Sequence, residues 1–129
     1  MPITPVPAEQ LSAVWPEVVP WIESALPYGQ GDESLLDVLI GLARGQSTLW
    51  IERGQFAAVT QLQAYSRQRV LMITYAGGVN LAAIVRAFRF ARDWCAVNGV
   101  DVLRTYGRPG WERVLGLQSA GRILQTRVS

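Results

Sequence analysis

One segment constrains the fold of this chain more than any other. A strand-like run, Val70-Leu71-Met72-Ile73-Thr74-Tyr75, meets Gly77-Gly78, and an amphipathic helix follows from Leu81 to Val97. Gly99 then leads into a second strand-like run, Val100 to Tyr106. Strand, glycine turn, helix and strand in that order make a βαβ unit, whose ligands usually gather at the carboxyl ends of the strands. Arg104, Tyr106 and Arg108 stand at and beyond the end of the second strand, with Trp111 following, so these residues are expected to face a ligand or a partner. On the helix, Leu81, Ile84, Val85 and Phe88 form the buried side, which leaves Arg86, Arg89 and Arg92 to a solvated face.

The remaining sequence supplies elements on either side of this unit. Ile3 to Pro7 suits an edge strand, where prolines are tolerated. A helix is expected from about Ala8 to Leu26, broken or kinked by Pro16 and Pro20. Ser34 is placed to cap a second helix carrying Leu35, Leu36, Leu39, Leu42 and Ala43, and Gly45 to end it. Thr48–Glu52 and Phe56–Tyr65, joined by Arg53-Gly54-Gln55, read as a β-hairpin with a half-buried second strand. A short helix after Trp111 and one last strand, from about Arg122 to Val128, complete the order β-α-α-β-β-β-α-β-α-β.

Composition narrows the chemistry. Half of the 129 residues are hydrophobic and mean hydropathy is +0.16, so one folded domain spanning 1–129 is expected rather than disorder. No apolar run is long enough to span a membrane, and the N-terminus lacks the basic start and apolar stretch of a signal peptide. Cys95, the only cysteine, cannot form an internal disulfide and reads as inert packing in a cytoplasmic setting. The five tryptophans read as core or half-buried packing. There is no histidine, and all twelve basic residues are arginines. Histidine-based triads, lysine Schiff bases, P-loop phosphate binding and zinc clusters are thereby excluded. Carboxylate or tyrosine acid–base chemistry remains, as does catalysis by positioning. The first 52 residues carry seven acids against Arg44, and the rest carry eleven arginines against Asp93, Asp101 and Glu112. Because these arginines are spread singly, acidic helices beside a basic face are the expected reading, and nucleic acid is not the expected partner.

The element order, the opening Ile3–Leu11, the Val70–Val97 strand-turn-helix and the segments Ala91–Gly99 and Gly107–Leu115 together resemble the GNAT acyltransferase superfamily. They look most like the trimmed GNAT-like proteins of tailed bacteriophages. The resemblance implies an α+β fold: a mostly antiparallel, GNAT-like mixed sheet flanked by helices and trimmed at its C-terminal end. It also implies acetyl-CoA as cofactor, held where Gly77, Gly78, Val79 and Asn80 join the first βαβ strand to its helix, and no metal. The family's Gln/Arg-x-x-Gly-x-Gly/Ala loop is reduced here to Ala76-Gly77-Gly78-Val79-Asn80. Where many of these enzymes have an acidic tyrosine four residues before Gly-Phe, this chain has Leu117 before Gly121-Arg122. Glu52 and Tyr106 are the remaining catalytic candidates.

Two functional classes follow. One is an acyl-CoA-dependent N-acyltransferase acting on an amine acceptor. The other is a non-catalytic phage virion or assembly component that uses the fold as a scaffold for other phage proteins. The expected setting is cytoplasmic, in the host or, for a phage product, the virion.

Overall fold

A computed structural model describes residues 3–29, 31–106, 108, 110–120 and 123–128, without the side chains of 112, 119, 120 and 123. Gly107, Pro109, Gly121 and Arg122, quoted above for the resemblance, lie outside the described residues. The chain forms β1 (Thr4–Val6), α1 (Leu11–Ala25), α2 (Leu35–Ala43), β2 (Thr48–Glu52), β3 (Phe56–Ala64) and β4 (Arg69–Gly78). It continues through α3 (Leu81–Val97), β5 (Val102–Tyr106), α4 (Trp111–Val114), β6 (Gln118–Ala120) and β7 (Ile123–Arg127).

All seven strands join one sheet in the order β1-β2-β3-β4-β5-β7-β6. Every neighbouring pair is antiparallel except β4 and β5, the two strands of the βαβ unit. α1 and α2 cover one face, where Leu11, Val18 and Ile22 pack with Leu49, Val59 and Tyr75. α3 covers the other, where Ile84, Phe88 and Ala91 meet Ala58, Leu71, Ile73 and Leu103. Covering both faces corrects the half-buried reading of β3: Phe56 to Thr60 are all buried, and alternation survives only from Gln61 onward.

Local signals account for most element ends. Ser34 Oγ accepts the Asp37 N–H at 3.3 Å while the Asp37 carboxylate accepts the Ser34 N–H at 2.9 Å, a reciprocal capping box. The Ser34 N–H first, and then the Ser34 hydroxyl, which donates to the same carboxylate oxygen at 3.0 Å, hold the Asp37 carboxyl below its ordinary value. Gly45 closes α2 at φ 74°, as expected. The tryptophans are packing, as expected: Trp50 lies against Phe90 and Trp94 with its Nε1 donating to Thr60 Oγ1, and Trp111 lies edge-on to Phe88. Cys95 is fully buried, which pushes its thiol up to about 11.

Three further expectations need correcting. Pro16 and Pro20 do not break the first helix. Both are exposed within a continuous α1, where solvent can satisfy the carbonyls that lose their partners. β4 does not end at Tyr75 but runs to Gly78, because β3 supplies Ala57 and Phe56 as partners for Gly77 and Gly78. The C-terminal end holds two strands, not one, since β6 turns back onto β7 with Gln118 opposite Gln125.

Candidate functional site: a crevice between parallel strands

β4 and β5 pair in parallel from Val70–Val102 to Ile73–Thr105, and there the ladder stops. Among the described residues no strand pairs with the rest of β4 on that side. The cause is local: Val59 pairs with Tyr75 while Thr60 pairs with Ile73, so Thr74 is an extra residue, a β-bulge. Its Oγ1 donates to the Val59 carbonyl at 3.1 Å. A bulge bends its strand and increases its twist, which here parts β4 from β5 at their carboxyl ends. Thr105 Oγ1 closes the last rung by donating to the Ile73 carbonyl at 3.0 Å.

Arg108 lies across the opening. Its Nη2 donates to the Ala76 carbonyl at 2.8 Å, a β4 acceptor beyond the reach of β5. Its Cζ lies 5.0 Å from the centre of the Tyr28 ring and 5.3 Å from that of Trp111, so the guanidinium links the α1–α2 connection, β4 and α4. Burial lowers the Arg108 pKa, with Tyr28 offsetting part of that, but a guanidinium stays charged at neutral pH. Among the described residues it has no carboxylate within salt-bridge distance. A cation therefore stands at the place where ligands of parallel strands collect.

The glycine doublet does not form a loop. An added Cβ on Gly77 would meet the Trp21 carbonyl oxygen at 2.6 Å, and one on Gly78 would meet the Gln55 oxygen at 2.7 Å and Phe56 Cβ at 2.9 Å. Neither glycine has a positive φ, so what these positions require is a missing side chain rather than unusual dihedrals. Only Val79 and Asn80 connect β4 to α3. The Val79 N–H donates to the Gln55 carbonyl, and Asn80 Oδ1 caps α3 by accepting from the Ala83 N–H at 2.9 Å. The N–H groups of Leu81 and Ala82, in the first turn, have no acceptor within the helix.

The other predicted residues divide between the crevice and other parts of the sheet. Tyr106, at the end of β5, is half-buried beside it. Trp111 is buried and supports Arg108. Arg104 turns instead to β7, donating from Nε to Gln125 Oε1 at 2.7 Å. Glu52 lies two strands from β4, ion-paired at 2.9 Å with Arg86 of α3. That pair ties the β2–β3 hairpin to the helix.

Sequence reasoning missed one pair. Tyr75 Oη donates to Glu33 Oε1 at 2.7 Å on the α1–α2 side of the sheet. Burial raises the Tyr75 pKa, and the Glu33 bond, nearby Asp32 and Tyr106 raise it further, so the phenol keeps its proton at neutral pH. The available signal was a tyrosine ending the apolar run of β4, together with two acids in a glycine-flanked loop. Among the described residues, no group of three His, Cys, Asp or Glu side chains could hold a metal, and no helix is long and apolar enough to cross a membrane.

A mostly antiparallel sheet with one parallel pair, opening beside the start of the crossover helix, is the GNAT, or acyl-CoA N-acyltransferase-like, fold. The solved structures this chain resembles include a GNAT-family acetyltransferase and a probable acetyltransferase. A GNAT-family acetyltransferase from Listeria monocytogenes aligns over 98% of this chain and 94% of its own, with TM-score 0.63 and 9% identity. Tetrahymena GCN5 aligns over 92% and 88%, with TM-score 0.65 and 10% identity. AtaTR bound with AcCoA aligns over 98% and 92%, with TM-score 0.59 and 8% identity. No family model matches the sequence, and no curated protein does.

Proposed function

We propose that the chain, as a single domain, is an acyl-CoA-dependent N-acyltransferase of the GNAT type. The observation that carries this reading is the crevice opened by the Thr74 bulge beside the N-terminus of α3. The donors around it suit a phosphate-bearing ligand. The Leu81 and Ala82 N–H groups lie at the positive end of a 17-residue helix, and Arg108 adds a guanidinium. Once Arg108 swings toward phosphate, the Ala76 carbonyl is free to accept from a ligand amide. Acetyl-CoA would supply an activated thioester carbonyl, and the residues of this chain would supply position. On the α1–α2 side, Glu33 offers a carboxylate to an amine acceptor. Tyr75, protonated at neutral pH, and Tyr106, at the end of β5, are phenols that could serve as acids.

A second reading rests on the Arg108–Ala76 bond, which spans the crevice, and on the turn of only two residues between β4 and α3. In that reading the chain is a non-catalytic virion or assembly component of a tailed phage, in the host cytoplasm or the particle, with other phage proteins as partners. Calorimetric titration with acetyl-CoA and with free coenzyme A separates the two. The acyltransferase reading expects micromolar binding that Val79→Glu weakens, since that exposed position would set a negative charge beside the phosphates. No heat with either ligand at millimolar concentration overturns it and favours the scaffold.

A further inference from the structure

α4 is a single turn whose Trp111 packs against Phe88 of α3 with ring centres 5.5 Å apart. Beyond it the chain turns through Gly116, at φ 67°, into Leu117 and β6. A groove of about 360 Å³ is left between α3, the end of α4, β5 and β7. Its floor is apolar, formed by Phe88, Leu103 and Leu117. Arg89 and Arg92 from α3 and Arg113 from α4 stand around it, and among the described side chains no acidic one lines it. Among the described side chains the ion pairs are Arg53–Glu17 and Arg86–Glu52, and neither involves any of these three arginines or Asp93.

Three like charges around an apolar floor repel one another, and an anion seated among them relieves that repulsion. The floor in turn favours an apolar body over a bare ion. The geometry points to a second binding site here, for a small amphipathic anion with one carboxylate or phosphate group on an aliphatic body. It is separate from the crevice. Leu103 pairs with Leu71 and Thr126 near the start of β5, before the Ile73–Thr105 rung where the crevice begins.

Calorimetry with decanoate, decyl phosphate, 1-decanol and inorganic phosphate tests the site. Binding of decanoate or decyl phosphate is expected, and whichever is tighter identifies the head group. The alcohol and inorganic phosphate should each bind about tenfold more weakly or worse. Replacing Arg89, Arg92 and Arg113 together by Gln should cost the anions about tenfold. Val114→Asp, at an exposed position of the lining, should weaken them as well, with the fold checked by circular dichroism. Equal affinity for 1-decanol and decanoate, or unchanged affinity in the triple variant, overturns the proposal. So does the absence of anion binding to the wild-type chain.

Discussion

Gly77→Ala tests whether the glycine doublet serves packing or ligand approach. The new methyl carbon would sit 2.6 Å from the Trp21 carbonyl oxygen and 3.0 Å from Trp21 Cβ. Carbon contacts are most favourable near 3.5–4.0 Å, so the methyl is most of an ångström too close. The obstacle is helix backbone, which cannot rotate away as a flexible side chain would. Trp21 also precedes Ile22, which is fully buried against the sheet, so α1 yields only by disturbing the core. Overpacking of this kind costs about 1–3 kcal/mol. For a domain of this size that lowers Tm by roughly 3–15 °C. With a urea m-value of about 1.5 kcal/mol/M, the midpoint falls by roughly 0.7–2 M. Gly41→Ala supplies a control of opposite sign. Gly41 lies inside α2, its added Cβ would meet only Ser47 Oγ at an ordinary 3.5 Å, and alanine there should stabilise by about 0.5–1 kcal/mol. Urea melts of both variants decide the matter. An unchanged midpoint for Gly77→Ala, with acetyl-CoA binding lost, would refute the packing argument and return the glycine to the ligand.

Two further outcomes follow from the pKa shifts. The Asp37 carboxyl is lowered in the folded chain, so its contribution is present above the unfolded-state value and is lost as pH falls through the folded one. Urea midpoints measured from about pH 5 to about pH 2 should therefore fall less steeply in Ser34→Ala than in the wild type, and parallel acid limbs would contradict the capping box. Cys95, fully buried with its thiol pushed up to about 11, should react negligibly with a disulfide reagent at pH 8 until urea unfolds the chain. Rapid stoichiometric labelling of the native protein would show that α3 does not seal it.

The sequence alone carried what short-range physics decides. The helical period from Leu81 to Val97 between two β-branched runs was enough for the βαβ unit and the exact extent of α3. Ser34 and Gly45 marked the ends of α2 because capping is settled within a few residues. Arg108 and Tyr106 could be placed near the crevice because βαβ topology puts strand ends there. What those residues do there was decided by contacts between distant parts of the chain. Arg108 reaches a carbonyl 32 residues away, and Tyr75 bonds a carboxylate 42 residues away. Glu52, a catalytic candidate by elimination, is tied to Arg86 of α3, 34 residues along. The Thr74 bulge is a mismatch between two strands and leaves no mark on either one read alone. Gly77-Gly78 reads as a turn locally, yet it forms the end of a strand because α1 and the β2–β3 turn press against it. Periodicity and capping act within one element and so are legible in order of sequence. Register, bulges and side-chain partners depend on which elements meet, and only the folded sheet determines that.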